Sequence, residues 1–198
     1  MKILEIKETF FPEVKVIKVG RFPDNRGYFT ETFKKSDFEN IDFLKEKSFV
    51  QINESFSKKG VVRGMHFQHS PYQEKLVRVA NGKMIDLFLD IRQGSPTFGK
   101  VASHALETQP ESGYFEWLWI PVGFAHGLYM LEDTTIEYYC TSEYSPKTEC
   151  SISPVDPDID WSLTNKLDFS KIIISDRDKA GKSLKDWKND PQSSFFKY

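Results

Sequence analysis

The chain has 198 residues and a formal net charge of −2, from 27 basic and 29 acidic side chains. That balance gives no electrostatic basis for nucleic acid or an anionic membrane as the main partner. A hydrophobic content of 39%, with 17 Phe, 8 Tyr and 4 Trp, excludes a disordered chain and favours an aromatic-rich core built from strands.

From Met1 to Lys7 the chain is charged from its second residue and has no apolar signal core. Its most apolar stretch, Tyr114 to Leu131, is broken by Glu116, Pro121 and His126, so it does not read as a transmembrane helix. The expectation is a soluble cytoplasmic protein, with Cys140 and Cys150 as reduced, buried thiols.

Val14 to Val19 alternates apolar and basic residues with the period of a half-buried strand. Pro23-Asp24-Asn25-Arg26-Gly27 is a turn, and Tyr28 to Phe33 reads as the next strand. Ser36 followed by Glu39 has the spacing of a capping box, which predicts one short helix starting there. Lys75 to Val79 and Lys83 to Ile91 flank Asn81-Gly82, the pattern of a two-stranded hairpin. Trp117 to Ile120, Ala125 to Leu131 and Thr134 to Thr141 supply further strands. Strands spaced roughly ten residues apart without alternating helices predict an all-β sandwich or barrel. After Pro154 the polar tail, anchored by Trp161, Phe169 and Trp187, reads as irregular structure with short helices outside the barrel. No repeat or linker interrupts residues 1–198, so one domain is expected.

Four histidines could carry chemistry: His66, His69, His104 and His126. Strand alternation puts Arg63, Met65 and Phe67 on one face and His66 with Gln68 on the other. Pro121-Val122-Gly123-Phe124-Ala125-His126 has the form of the later metal-binding segment of metal-dependent cupins. The earlier segment fails, because His66 and His69 are three residues apart and face opposite sides of a strand. Glu74 follows a turn at Ser70-Pro71 and does not complete a ligand set.

Arg63-Gly64-Met65-His66-Phe67-Gln68, Lys75-Leu76-Val77-Arg78, Asp90-Ile91-Arg92, Ser95-Pro96-Thr97-Phe98-Gly99 and Trp119-Ile120-Pro121 through His126-Gly127 occur in that order. Asp24-Asn25-Arg26-Gly27-Tyr28-Phe29 precedes them and Tyr144-Ser145-Pro146 follows. Together, from about residue 10 to about residue 180, they resemble the dTDP-4-dehydrorhamnose 3,5-epimerase family. The resemblance implies a cupin-type jelly-roll β-barrel with short peripheral helices and an irregular C-terminal segment. It implies inversion at C3, C5 or both of a nucleoside-diphospho-4-keto sugar, with neither metal nor redox cofactor.

In that chemistry a C4 ketone acidifies its neighbouring C–H bonds, and inversion needs a base on one ring face and an acid on the other. By resemblance His66 is the base, Asp178 orients it, Tyr138 returns a proton, and Lys75 stands near the C4 oxygen. Asp176 is the alternative carboxylate, with the position of Ser175 favouring Asp178. Arg26, Gln51, Asn53, Arg63, His126 and Arg177 are implied in binding the nucleotide diphosphate, with Glu31 and Glu149 as acceptors and Tyr144 stacking on the base. Arg177 and Tyr139 each stand where the family often has lysine, and Tyr139 bears on the polarity of the pocket. The stretch from Gln109 to Glu116 is longer than in the family, as a pocket element or an external loop. The Arg26 segment is implied to reach a neighbouring subunit, in a homodimer with exchanged N-terminal strands. Rival readings are a one-carbon epimerase, an enzyme of a GDP-4-keto heptose, a metal-dependent cupin, and a non-catalytic sugar-binding cupin.

Overall fold

The computed structural model describes the whole chain except residues 165, 166 and 168–170, which include the expected anchor Phe169. Strands are numbered in chain order. One sheet runs β1 (Ile3–Glu8), β2 (Lys15–Gly20), β10 (Tyr114–Ile120), β7 (Lys75–Asn81), β12 (Thr134–Cys140) and β5 (Gln51–Ser57). The second runs β13 (Glu149–Ser151), β6 (Val61–Gln68), β11 (Phe124–Met130), β8 (Lys83–Asp90), β9 (Lys100–Glu107) and β14 (Asp160–Leu163), with β15 (Ile173–Ile174) also on β6. A separate small hairpin pairs β3 (Phe22–Asp24) with β4 (Gly27–Phe29). The two large sheets face each other as a jelly-roll sandwich, all-β as expected, and among the described residues they do not close into a barrel.

The central strands β10 and β11 are covered on both faces and are largely apolar, whereas the edge strands β1 and β5 leave residues exposed. Val16, Val77, Leu118 and Ile136 meet Met84, Phe88, Leu128 and Met130 between the sheets. The outer face of the first sheet, with Ile17, Trp117, Trp119 and Tyr139, is covered by Phe38, Ile41 and Leu44. Met65, Phe67, Leu87 and Leu89 on the second sheet's outer face are covered by the C-terminal segment through Ile152, Leu184, Trp187 and Phe196. Each such large side chain contributes roughly 1.5–3 kcal/mol by leaving water. The tail after Pro154 is more regular than its polar texture suggests, since β14 and β15 both join the second sheet. The helices α2 (Asp176–Lys179) and α3 (Leu184–Asn189) follow them.

Three local expectations are corrected. Strands β7 and β8 form no hairpin; they belong to different sheets, and Gly82 carries the chain from one to the other. Its φ of +96° and a Cβ position 2.5 Å from the Asp133 carbonyl oxygen require glycine there. The Asn-Gly signal marks a tight turn, and the sheets compete for the flanking strands. Helix α1 (Lys35–Phe38) starts at Lys34 without a side-chain cap, and Ser36 lies inside it. Burial of Phe38 and the Met1 ammonium on Asp37 fix that turn instead. The strand expected from Tyr28 to Phe33 is only the three residues of β4.

Candidate active site

An open cleft of about 420 Å³ lies at the end of the sandwich where β5, β7 and β12 face β6 and β11. Inward positions of β5 present Gln51 and Asn53, those of β7 present Lys75, and those of β12 present Tyr138. Alternation sends the neighbouring Tyr139 outward, among Phe33, Phe49 and Trp117. Tyr139 therefore contributes packing behind the sheet and does not enter the cleft.

On β6 the simple alternation fails. Register with β11 pairs His66 with His126 and Arg63 with Leu128, so β6 spends one extra residue between the two pairs. The shift falls at Gly64, whose φ is +115° and whose Cβ position would lie 2.6 Å from Gly127 Cα. This bulge turns Arg63 onto the same side as His66, and both line the cleft while Met65 and Phe67 pack behind it. Gln68 is buried; its side-chain amide bonds Ser142 Oγ, the Glu143 carbonyl and the Ser145 N–H, fixing the loop that carries Tyr144.

His66 Nε2 lies 2.7 Å from Asp178 Oδ1. Asp178 is 5% exposed, and the His66 side chain retains 26% exposure towards the cleft. Burial alone would raise the Asp178 carboxyl, but bonds from His66, Ser175 and the Gly64 N–H outweigh it and hold the group below the usual range. Ser175 caps α2 by accepting from the Asp178 N–H at 3.1 Å, which aims Asp178 inward. Asp176 points to solvent beside Lys179, so of the two carboxylates it is Asp178 that meets His66.

A second imidazole stands beside the first. His126 Nε2 lies 2.9 Å from Asp86 Oδ2, and Asp86 is fully buried. Its Oδ1 has no hydrogen-bond partner among the described residues. Asp86 was not singled out from the sequence, yet an acid at an inward position of β8, between Met84 and Phe88, is the buried-charge signal that would have found it.

Burial pulls the Lys75 ammonium below the ordinary lysine range, opposed by Cys140, Glu149 and Asp86. Burial likewise raises the Tyr138 phenol. Arg63 Nε donates to Ser57 Oγ at 2.7 Å. Gln51 donates to Asn53 at 2.8 Å and accepts from the Tyr144 N–H at 2.8 Å. At the mouth, Tyr144 donates to Glu149 Oε2 at 3.0 Å and Arg177 bonds the same oxygen. Glu54, Ser55, Gln73 and Leu128 also line the cleft and carried no sequence motif.

Two expected binding residues are not brought to this cleft within one chain. Arg26 sits on the exposed β3–β4 turn, 2.7 Å from Asp24 and 85% exposed. Glu31 pairs with the Met1 ammonium. Within the stretch from Gln109 to Glu116, Tyr114–Glu116 begin β10; the stretch edges a separate cavity, and none of it lines the central cleft. His69 turns away and stacks on Phe195. Among the described residues no three His, Cys, Asp or Glu side chains are grouped to hold a metal ion. Cys140 and Cys150 are both free thiols, the second only partly buried.

The sequence profile described as dTDP-4-dehydrorhamnose 3,5-epimerase matches residues 8–186. A relative of that name from Neisseria gonorrhoeae is 43% identical over 91% of this chain, although the chain spans only 52% of that relative's length. The Escherichia coli relative of the same name is 38% identical, over 89% of this chain and 92% of its own. Among solved structures, a dTDP-6-deoxy-D-glucose-3,5-epimerase from Legionella pneumophila, in complex with dTDP-4-keto-L-rhamnose, superimposes with a TM-score of 0.78 at 39% identity. That match covers 91% of this chain and 93% of the Legionella one. A 3'-monoepimerase from Streptomyces bikiniensis shares the fold at a TM-score of 0.75 and 26% identity, over 93% of this chain and 88% of its own. The profile spans most of the sequence and the relatives exceed a third identity, so this chain belongs to the dTDP-4-dehydrorhamnose 3,5-epimerase family.

Proposed function

We propose that the protein epimerises a dTDP-4-keto-6-deoxy sugar at carbons beside its keto group, by moving protons alone. The observation that carries this reading is the His66–Asp178 pair in the same cleft as Tyr138 and Lys75. His66 Nε2 is held by Asp178 and accounts for one ring nitrogen, leaving the other to take a proton from C3 or C5. The electron pair moves into an enolate whose charge rests on the C4 oxygen, where the Lys75 ammonium stabilises it. Tyr138 delivers a proton to the opposite face, which inverts the carbon, and its phenol is then restored from solvent.

Arg63, Arg177, Gln51, Asn53 and His126 supply donors for the nucleotide diphosphate, since guanidinium and amide groups suit phosphate oxygens. Tyr144 would stack on the base, with Glu149 as an acceptor beside it. For Arg26 and Glu31 the proposal is a homodimer, in which the β3–β4 hairpin of one subunit reaches the cleft of the other. The exposed Phe22, Tyr28 and Phe29 on that hairpin, and Leu4 and Ile6 on the edge strand β1, support a covered surface there. A charged, soluble substrate of this kind fits a cytoplasmic location.

The test is proton NMR of the protein in D₂O with dTDP-4-keto-6-deoxyglucose and, separately, a GDP-4-keto heptose. Deuterium at C3 and C5 of the first substrate is the expected result. Label at one carbon alone would make it a one-carbon epimerase, a chemistry the shared fold accommodates. Exchange only in the heptose would move the specificity, and none in either would overturn the reading.

A further inference from the structure

The cleft mouth holds an internal contact that nothing in the proposed reaction uses. Arg177 projects from α2 with its side chain 68% exposed, yet its guanidinium bonds the carboxylate of Glu149, itself only 16% exposed. The Tyr144 hydroxyl donates to the same oxygen, so one carboxylate holds together the loop bearing Tyr144, strand β13 and helix α2. All three residues line the cleft. Asp178, the next residue on α2, points the other way and bonds His66. The backbone under Arg177 is fixed at both ends. Residues Ile173–Ile174 pair with β6, and Lys182 bonds the Ser151 carbonyl while Ser153 bonds the Lys182 carbonyl. The guanidinium can therefore exchange partners by side-chain rotation alone, without displacing Asp178.

We infer that Glu149 is a built-in competitor for Arg177, a carboxylate that an incoming diphosphate must displace before the mouth accepts it. The inference rests on reading the cleft as a nucleotide-diphosphate site. A carboxylate presents one negative charge to the guanidinium, whereas a diphosphate presents more charge and more acceptor oxygens in the same fork geometry. Displacement is then favourable for a diphosphate and unfavourable for a neutral or singly charged sugar, which would exchange a charged partner for a weaker one. The clasp thereby adds selectivity for the diphosphate-linked form, at some expense of affinity. It also releases the Tyr144 hydroxyl when the ligand arrives.

Calorimetric titration of inorganic pyrophosphate and of dTDP into the wild type, Glu149→Gln, Arg177→Met and the double variant tests this. Glu149→Gln should bind pyrophosphate about two- to fivefold tighter, the scale of a solvent-screened ion pair. Arg177→Met should bind more weakly, and in its background Glu149→Gln should bring no gain. A gain that persists in the double variant would reduce Glu149 to a general charge effect and overturn the clasp. So would a Glu149→Gln variant that binds pyrophosphate equally or more weakly, or a wild-type cleft that takes up none. If the pyrophosphate series behaves as expected but dTDP does not bind, the nucleotide reading fails while the clasp stands.

Discussion

Two histidine–carboxylate pairs sit side by side across β6 and β11, and they differ in burial. In His66–Asp178 the imidazole keeps 26% exposure, and its carboxylate is bonded by Ser175 and the Gly64 N–H as well. In His126–Asp86 the imidazole is 7% exposed, and one oxygen of a fully buried carboxylate has no partner among the described residues. Both imidazoles line the cleft, and the proposed proton carrier, His66, is the more open of the two. The second has the character of a fixed donor, oriented by a charge it does not share with water. The comparison teaches that the two pairs share their residue types, and that exposure is what separates the roles proposed for them.

The strongest way to break this division is to exchange the histidines' fates. His66→Ala should lower deuterium incorporation at C3 and C5 by at least about 10³-fold, within the range of a lost general base. Nucleotide binding should persist. His126→Ala should do the reverse, weakening dTDP binding while measurable exchange remains. Equal losses of exchange in both variants would erase the distinction.

Lys75→Met comes next, with an expected loss of about 10² to 10³ in kcat if the ammonium stabilises the enolate. The sign of its stability effect is opposite. Burial lowers the folded pKa, so Lys75 costs stability below that folded value, and the cost fades as pH rises from it towards the ordinary lysine value. The variant should melt no lower than the wild type at pH 7; a clear drop in Tm would show that Lys75 is structural. Tyr138→Phe should leave first exchange near the wild-type rate and reduce inverted product by roughly 10². An unchanged ratio of inversion to exchange would remove Tyr138 from the mechanism.

What the sequence made legible follows from which contacts are local. Alternation on β12 correctly separates Tyr138 from Tyr139, because that strand keeps regular register from Ile136 to Cys140. The same rule misplaces Arg63, because the bulge at Gly64 is set by the close approach of Gly127 on a distant strand. The Asn81-Gly82 turn was visible, but the partners of its flanking strands lie elsewhere in the chain. Asp86 escaped notice because no motif marks it, and only the inward geometry of β8 couples it to His126. Arg26 and Glu31 lie outside the cleft of their own chain, so their proposed role depends on a second copy.

Asp178→Asn sharpens the comparison from the first pair. Asp178→Asn should lower kcat about 10- to 100-fold, by analogy with the outer carboxylates that orient metal-bound histidines. The Asp178 carboxyl is held low, so the stability its bonds contribute is present above the ordinary carboxylate value and is lost as pH falls through the folded value. The stability gap between wild type and variant should therefore be constant above about pH 5 and close under more acid conditions. A gap that widens on acidification would contradict the depressed carboxyl.

Asp86→Asn is the smallest expected effect and the most discriminating. The substitution keeps an acceptor for His126 but removes the charge, so His126 should lose orientation without leaving the cleft. The expected result is a KM raised about threefold to tenfold with kcat within about twofold, the scale of one weakened hydrogen bond. Stability should be unchanged or improved, because the carboxylate buries an oxygen without a partner and an amide is less costly to bury than a charge. Steady-state kinetics and thermal melts on the same preparation separate these. If kcat falls as far as it does in Asp178→Asn while KM holds, both pairs act on the moving proton. Exposure would then no longer distinguish a base from a donor in this cleft.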